Sequence, residues 1–119
     1  MHGLHPNIDL SFLCQRELIQ VAIGIHDVIF AFERDVTIGV QGHFKYVSKD
    51  VSVDWKPPGA QRAAAETVRL LGAVVNGVHG SEDGTLELTF SNGDRLTITD
   101  ANKEYESYQV TRPGETIVV

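Results

Sequence analysis

The sequence predicts a β-rich α+β domain. Two related three-stranded antiparallel meanders are packed together, or joined as one sheet or partial barrel, with one principal helix near residues 59–71 between them. Leu18-Ile19-Gln20-Val21, Val28-Ile29-Phe30-Ala31-Phe32 and Val36-Thr37-Ile38 in the first half find matches in the second. Those matches are Val74-Val75-Asn76-Gly77-Val78, Leu86-Glu87-Leu88-Thr89-Phe90 and Leu96-Thr97-Ile98. Asp83-Gly84 and Asn92-Gly93 separate the second-half runs and favour tight hairpins. Between the halves, Ala60, Ala63, Ala64, Val68 and Leu71 recur at helical spacing. Three strands cannot cover their own apolar face, so each half is expected to cover the other. The 119 residues are therefore read as one domain of two pseudo-repeats, about 9–47 and 72–119.

Along the chain, residues 1–8 show no periodicity. Asp9 can cap a helical turn that packs Leu10, Phe12 or Leu13 on the strand over 17–24. Gly24 to Asp27 reads as a turn. The run 28–32 is apolar on both faces, which predicts a central strand. Glu33-Arg34-Asp35 turns the chain into a strand whose Val36, Ile38 and Val40 share a face. Phe44, Tyr46 and Val47 extend that region or form an edge strand, and Lys56-Pro57-Pro58-Gly59 ends it. The helix carries an Arg62 and Glu66 pair opposite its apolar stripe and stops at Gly72. Leu86, Leu88 and Phe90 point inward, leaving Glu87 and Thr89 on a wet face. Tyr105, Tyr108 and Val110 lead through Arg112-Pro113-Gly114-Glu115 into a last strand over 116–119.

Composition limits the function classes. No apolar run approaches the roughly 20 residues of a membrane span, and the N-terminus lacks signal-peptide character, so a cytoplasmic protein is expected. Cys14 is the only cysteine and is read as a small buried thiol rather than a nucleophile. Nearly all of the net charge of −6 lies beyond residue 80, where eight acids face three bases. That balance opposes nucleic-acid binding and suits a basic protein partner or a solvated face.

Several segments together resemble a known family. They are Asp9 to Leu13 with Arg16-Glu17-Leu18, Phe32 to Val36, the hairpin Asp83 to Gly93, and Tyr105-Glu106-Ser107-Tyr108. They are similar to the uncharacterised bacterial proteins grouped as domain of unknown function 6188. The resemblance spans nearly the whole chain and implies no reaction, cofactor or catalytic residue.

The residues add no catalytic pattern. His26 and His79 occupy matching turns, where a twofold arrangement would bring them together in a cleft between the repeats; exposed turn histidines are the plainer reading. His2, His5 and His43 have no metal-ligand spacing. No phosphate loop or nucleophile elbow is present. No cofactor or metal is expected. Trp55, Glu82, Asp83, Glu104 and Glu106 are the candidate partner-binding residues, with a lid over the core as the alternative for Trp55. The favoured reading is a non-enzymatic interaction module with an acidic face for a protein partner, comparable to immunity or adaptor proteins. The alternative is a small-molecule binder or enzyme with a cleft between the repeats that includes Trp55. Self-association through an open edge at Ile117-Val118-Val119 is also expected.

Overall fold

The structure is a computed structural model that describes residues 8–100 and 107–119. Glu104 and Glu106 lie outside the described residues. A 3-10 turn at Ser11–Leu13 opens the fold, with Ser11 N–H donating to Asp9 Oδ1 at 2.9 Å. Five strands follow: β1 (Leu18–Ile23), β2 (Val28–Phe32), β3 (Val36–Val40), β4 (His43–Val47) and β5 (Ser52–Trp55). Helix α1 (Gln61–Ala65) runs into a 3-10 segment, Glu66–Leu70. The second half adds β6 (Val75–Gly80), β7 (Leu86–Phe90), β8 (Arg95–Thr99), β9 (Tyr108–Arg112) and β10 (Glu115–Val118).

The strands form two five-stranded antiparallel sheets, ordered β1-β2-β3-β9-β10 and β5-β4-β8-β7-β6. Each sheet is one meander plus the hairpin that follows the other meander. The segment from Phe44 to Trp55 is therefore part of this exchange, the counterpart of β9 and β10.

Side-chain alternation drives the crossing. Val36, Ile38, Val40, Phe44 and Tyr46 are all buried, so the inward parity of β3 continues into β4. A two-residue hairpin would have reversed that parity and buried Lys45. The chain instead bends through Gln41-Gly42 into the other sheet, as corner strands do in packed sheets. Gln41 and Gly42 N–H groups both donate to Ser107 O at 3.0 Å, where the second half makes its own crossing.

Backbone bonds at the opposite junction come in matched pairs. Gln15 N–H donates to Val75 O and Gly72 N–H to Leu18 O, while Leu18 N–H reaches Ala73 O and Val75 N–H reaches Arg16 O. Glu17 and Val74 form an antiparallel bridge. The irregularity between Leu18 and Gln20 recurs between Val75 and Gly77. Strand matching shifts one sequence alignment by two residues. Ile38 pairs with Phe30 and Leu96 with Leu88, so Leu96 is the counterpart of Ile38 rather than of Val36.

The core fills the space between the sheets. Phe30 meets Phe44 edge-on at 5.4 Å, and Phe44 stacks on Trp55 at 5.3 Å. The helical stripe differs from the expected one. Ala64, Thr67 and Leu70 are buried, whereas Val68 and Leu71 are exposed. The tighter 3-10 winding of 66–70 brings every third residue onto one face. Thr67 is accommodated because its hydroxyl donates to Ala64 O at 2.6 Å. The charged pair there is Glu66 with Arg69 at 3.2 Å, not Arg62 with Glu66.

Candidate functional site

The two sheets bury similar inner faces and present different outer ones. Pairing registers on the first sheet place Ala22, Ile29, Gly39, Gln109 and Val118 in one outward row across all five strands. Gln20, Ala31, Thr37, Thr111 and Thr116 form the next row. Neither row holds a charge. Ile29 and Val118 are each more than a third exposed. The corresponding row on the second sheet runs His79, Glu87, Thr97, Lys45 and Asp54. There, Arg95 Nε lies 4.0 Å from Glu87 Oε1.

The same register assembles a cluster that the sequence did not disclose. His43 Nδ1 lies 2.9 Å from Thr99 Oγ1, its partner on β8, and His43 Nε2 lies 2.8 Å from Asp54 Oδ1 on β5. A hydroxyl, an imidazole and a carboxylate thus fall in line. All three stand on the open outer face of the sheet, and cross-strand adjacency accounts for the alignment.

The expected site residues do not converge. Trp55 is 1% exposed in the core, which withdraws it from any partner surface or cleft. His26 is exposed in the β1–β2 connection, and His79 stands on the outer face of the second sheet. β1 and β6 leave their antiparallel bridge in opposite directions and carry these histidines apart. The expected cleft of His26, His79 and Trp55 is therefore not formed. Cys14 is half-buried rather than buried.

The acidic second half is less acidic outside than its composition implies. Asp94 and Asp100 are buried, at 7% and 5% exposure. Glu115 lies 2.8 Å from Arg112. Glu82 and Asp83 are exposed, but Asp83 holds its own turn by accepting from Ser81 Oγ and, at 2.9 Å, from Thr85 N–H. Among the described residues, no three His, Cys, Asp or Glu side chains are grouped as metal ligands.

The buried acids work with two tyrosines. Tyr46 Oη donates to Asp94 Oδ2 at 2.6 Å, and Asn92 Nδ2 donates to the same oxygen at 3.1 Å. Tyr108 Oη donates to Gly84 O at 2.7 Å. Burial raises both phenol pKa values well above their ordinary range; Asp94 adds to the effect at Tyr46, and Asp100 and then Asp83 at Tyr108. A raised folded-state pKa gives stability that is complete below the unfolded value, about 10, and is lost as pH climbs towards the folded value. Urea midpoints should therefore fall above pH about 10, with Tyr46→Phe showing a shallower decline. Equal slopes for the two proteins would exclude Tyr46 as a source.

No curated protein and no solved structure matches the chain. No helix among the described residues is long and apolar enough to cross a membrane. The family-of-unknown-function model DUF6188 matches residues 11–119, from the opening 3-10 turn through both sheets, and the chain belongs to that family.

Proposed function

We propose that this protein is a non-enzymatic protein-interaction module whose contact surface is the neutral outer face of the first sheet, and that it self-associates there. The carrying observation is the contrast between outer rows: uncharged across the first sheet, ionisable at four of five positions on the second. In a chain of net charge −6, two copies repel over most approaches. The first sheet lets them meet without opposing like charges. Ala22, Ile29 and Val118 supply apolar contact, and flanking threonines and glutamines supply hydrogen bonds.

This reading moves the partner surface away from the acidic residues. Among the described acids of the second half, Asp94 and Asp100 are buried and Glu87 and Glu115 lie near Arg95 and Arg112, so Glu82 and Asp83 stand as a short acidic turn. Sedimentation velocity at about 5, 50 and 500 μM, a range that brackets micromolar affinity, tests the proposal. The expected result is a dimer that Ile29→Asp dissociates while circular dichroism stays unchanged. Lys45→Gln, on the other sheet, should leave it intact. A monomer throughout, or a dimer indifferent to Ile29→Asp, would overturn the proposal.

A further inference from the structure

Three non-glycine residues among those described adopt left-handed backbone angles: Gln15 at φ 69°, Arg34 at 64° and Asp35 at 60°. L-residues are disfavoured in that region. Gln15 and Arg34 line one cleft of about 210 Å³ with Phe12, Cys14, Arg16 and Glu33, and Asp35 adjoins it. Strain concentrated at one cleft points to side chains retained for something other than the turn.

The chain itself supplies the comparison. By the matched backbone bonds, the counterpart of Gln15 is Gly72, at φ 86°. The connection from Phe32 to Val36 has three residues, as does that from Phe90 to Asp94, where the one left-handed residue is Gly93. Glycines thus occupy the places of Gln15 and Asp35 in the other half, and Arg34 is left-handed where its counterpart Asn92 is not. The charges differ as well. Arg16, Glu33 and Arg34 correspond to Ala73, Ser91 and Asn92.

The cleft is arranged to receive negative charge. Arg16 is fixed because its Nε–H donates to Phe12 O at 2.6 Å and its Nη1 donates to Glu33 O at 3.1 Å. A guanidinium has five N–H groups, so three remain. Arg34 is exposed and has no salt bridge among the described residues. The one lining carboxylate, Glu33, already accepts from Glu17 N–H at 3.1 Å. Two guanidiniums and one carboxylate line the cleft, with the exposed Asp35 carboxylate beside it, so the free N–H groups of Arg16 and Arg34, rather than a net charge, are what an anion would meet.

We infer that this cleft binds a small oxyanion, the carboxylate or phosphate group of a small molecule, between Arg34 and Arg16. A guanidinium fork matches either group. Arg34 lines the same cleft as Arg16, whose guanidinium is tied down by two of its N–H groups. The cleft volume suits a small ligand rather than a polymer.

Amide NMR titrations with sodium phosphate and sodium acetate, matched in ionic strength with sodium chloride, test this. Saturable shifts at Gln15, Arg16, Arg34 and Asp35 are expected, with Kd near about 1 mM. Saturation by phosphate alone or acetate alone identifies which oxyanion is preferred. The double variant Arg34→Asn with Asp35→Gly copies the tip of the other turn. It should melt about 5 °C higher and bind at least about tenfold more weakly. Arg95→Gln, remote on the second sheet, should bind as the parent does. Non-saturable shifts shared with chloride, unchanged binding by the double variant, or a melting temperature no higher than the parent's would each overturn the inference.

Discussion

Trp55→Ala is expected to destabilise the protein by about 3–5 kcal/mol, the range for deleting a large buried aromatic. Trp55 ends β5, an outer strand of its sheet, yet is 1% exposed. Its ring stacks on Phe44 with planes 17° apart, and Phe44 meets Phe30 of the facing sheet. α1 lies against β5, the strand that Trp55 ends. Removal of the indole opens a void that neither the helix nor an edge-strand backbone can fill without moving. For a domain whose total stability lies near 5–15 kcal/mol, such a loss approaches unfolding. Urea denaturation followed by circular dichroism measures it. Trp55→Phe should recover most of the loss, and a cost below about 1 kcal/mol for the alanine variant would contradict this account.

The burial of Trp55 illustrates what local pattern reading misses. Trp55 follows Asp54 and precedes Lys56-Pro57, a context that reads as surface. Its inward direction is set by register, since it pairs with Phe44, whose own parity descends from Val36 through the bend at Gln41-Gly42. The β-rich class, the central strand β2, the hairpins at Asp83-Gly84 and Asn92-Gly93 and the closing β9–β10 hairpin were legible because each is encoded within a few residues. The exchange of hairpins was not, because it depends on which strand lies beside β3 and β8. Apolar residues at even-numbered positions from Val36 to Tyr46, in step on both sides of Gly42, were the available signal for it.

Candidate sites were less legible for a related reason. Acidic composition does not reveal that Asp94 faces Tyr46 or that Asp100 accepts from Ser107 Oγ at 2.7 Å. Nor does the spacing of His43, Asp54 and Thr99 reveal that three adjacent strands align them. The neutral outer rows of the first sheet emerge only once β9 and β10 are placed beside β3. What distinguishes the halves lies in cross-strand neighbours, while their core patterns are nearly shared.

Gly84→Ala is expected to cost about 2–5 kcal/mol, combining roughly 1–2 for a left-handed L-residue with about 1–3 for overpacking. Gly84 has φ 93°, and an added Cβ would sit 2.5 Å from Asp100 Cβ and 2.8 Å from its Oδ2. Retreat is restricted on both sides. The Gly84 carbonyl accepts from the buried Tyr108 hydroxyl, while Asp100 is tied through Ser107 to the strand crossing. Displacing the loop would orphan a buried hydroxyl, and displacing Asp100 would disturb Ser107, whose carbonyl receives Gln41 and Gly42. The substitution therefore strains the junction where the halves exchange hairpins. Gly93→Ala gives the control: φ is 90° there, but nothing lies within 4 Å of an added Cβ. It should carry the conformational cost alone, about 1–2 kcal/mol. The difference between the variants, read from paired urea curves, isolates the contact with Asp100; equal costs would mean that this junction yields freely.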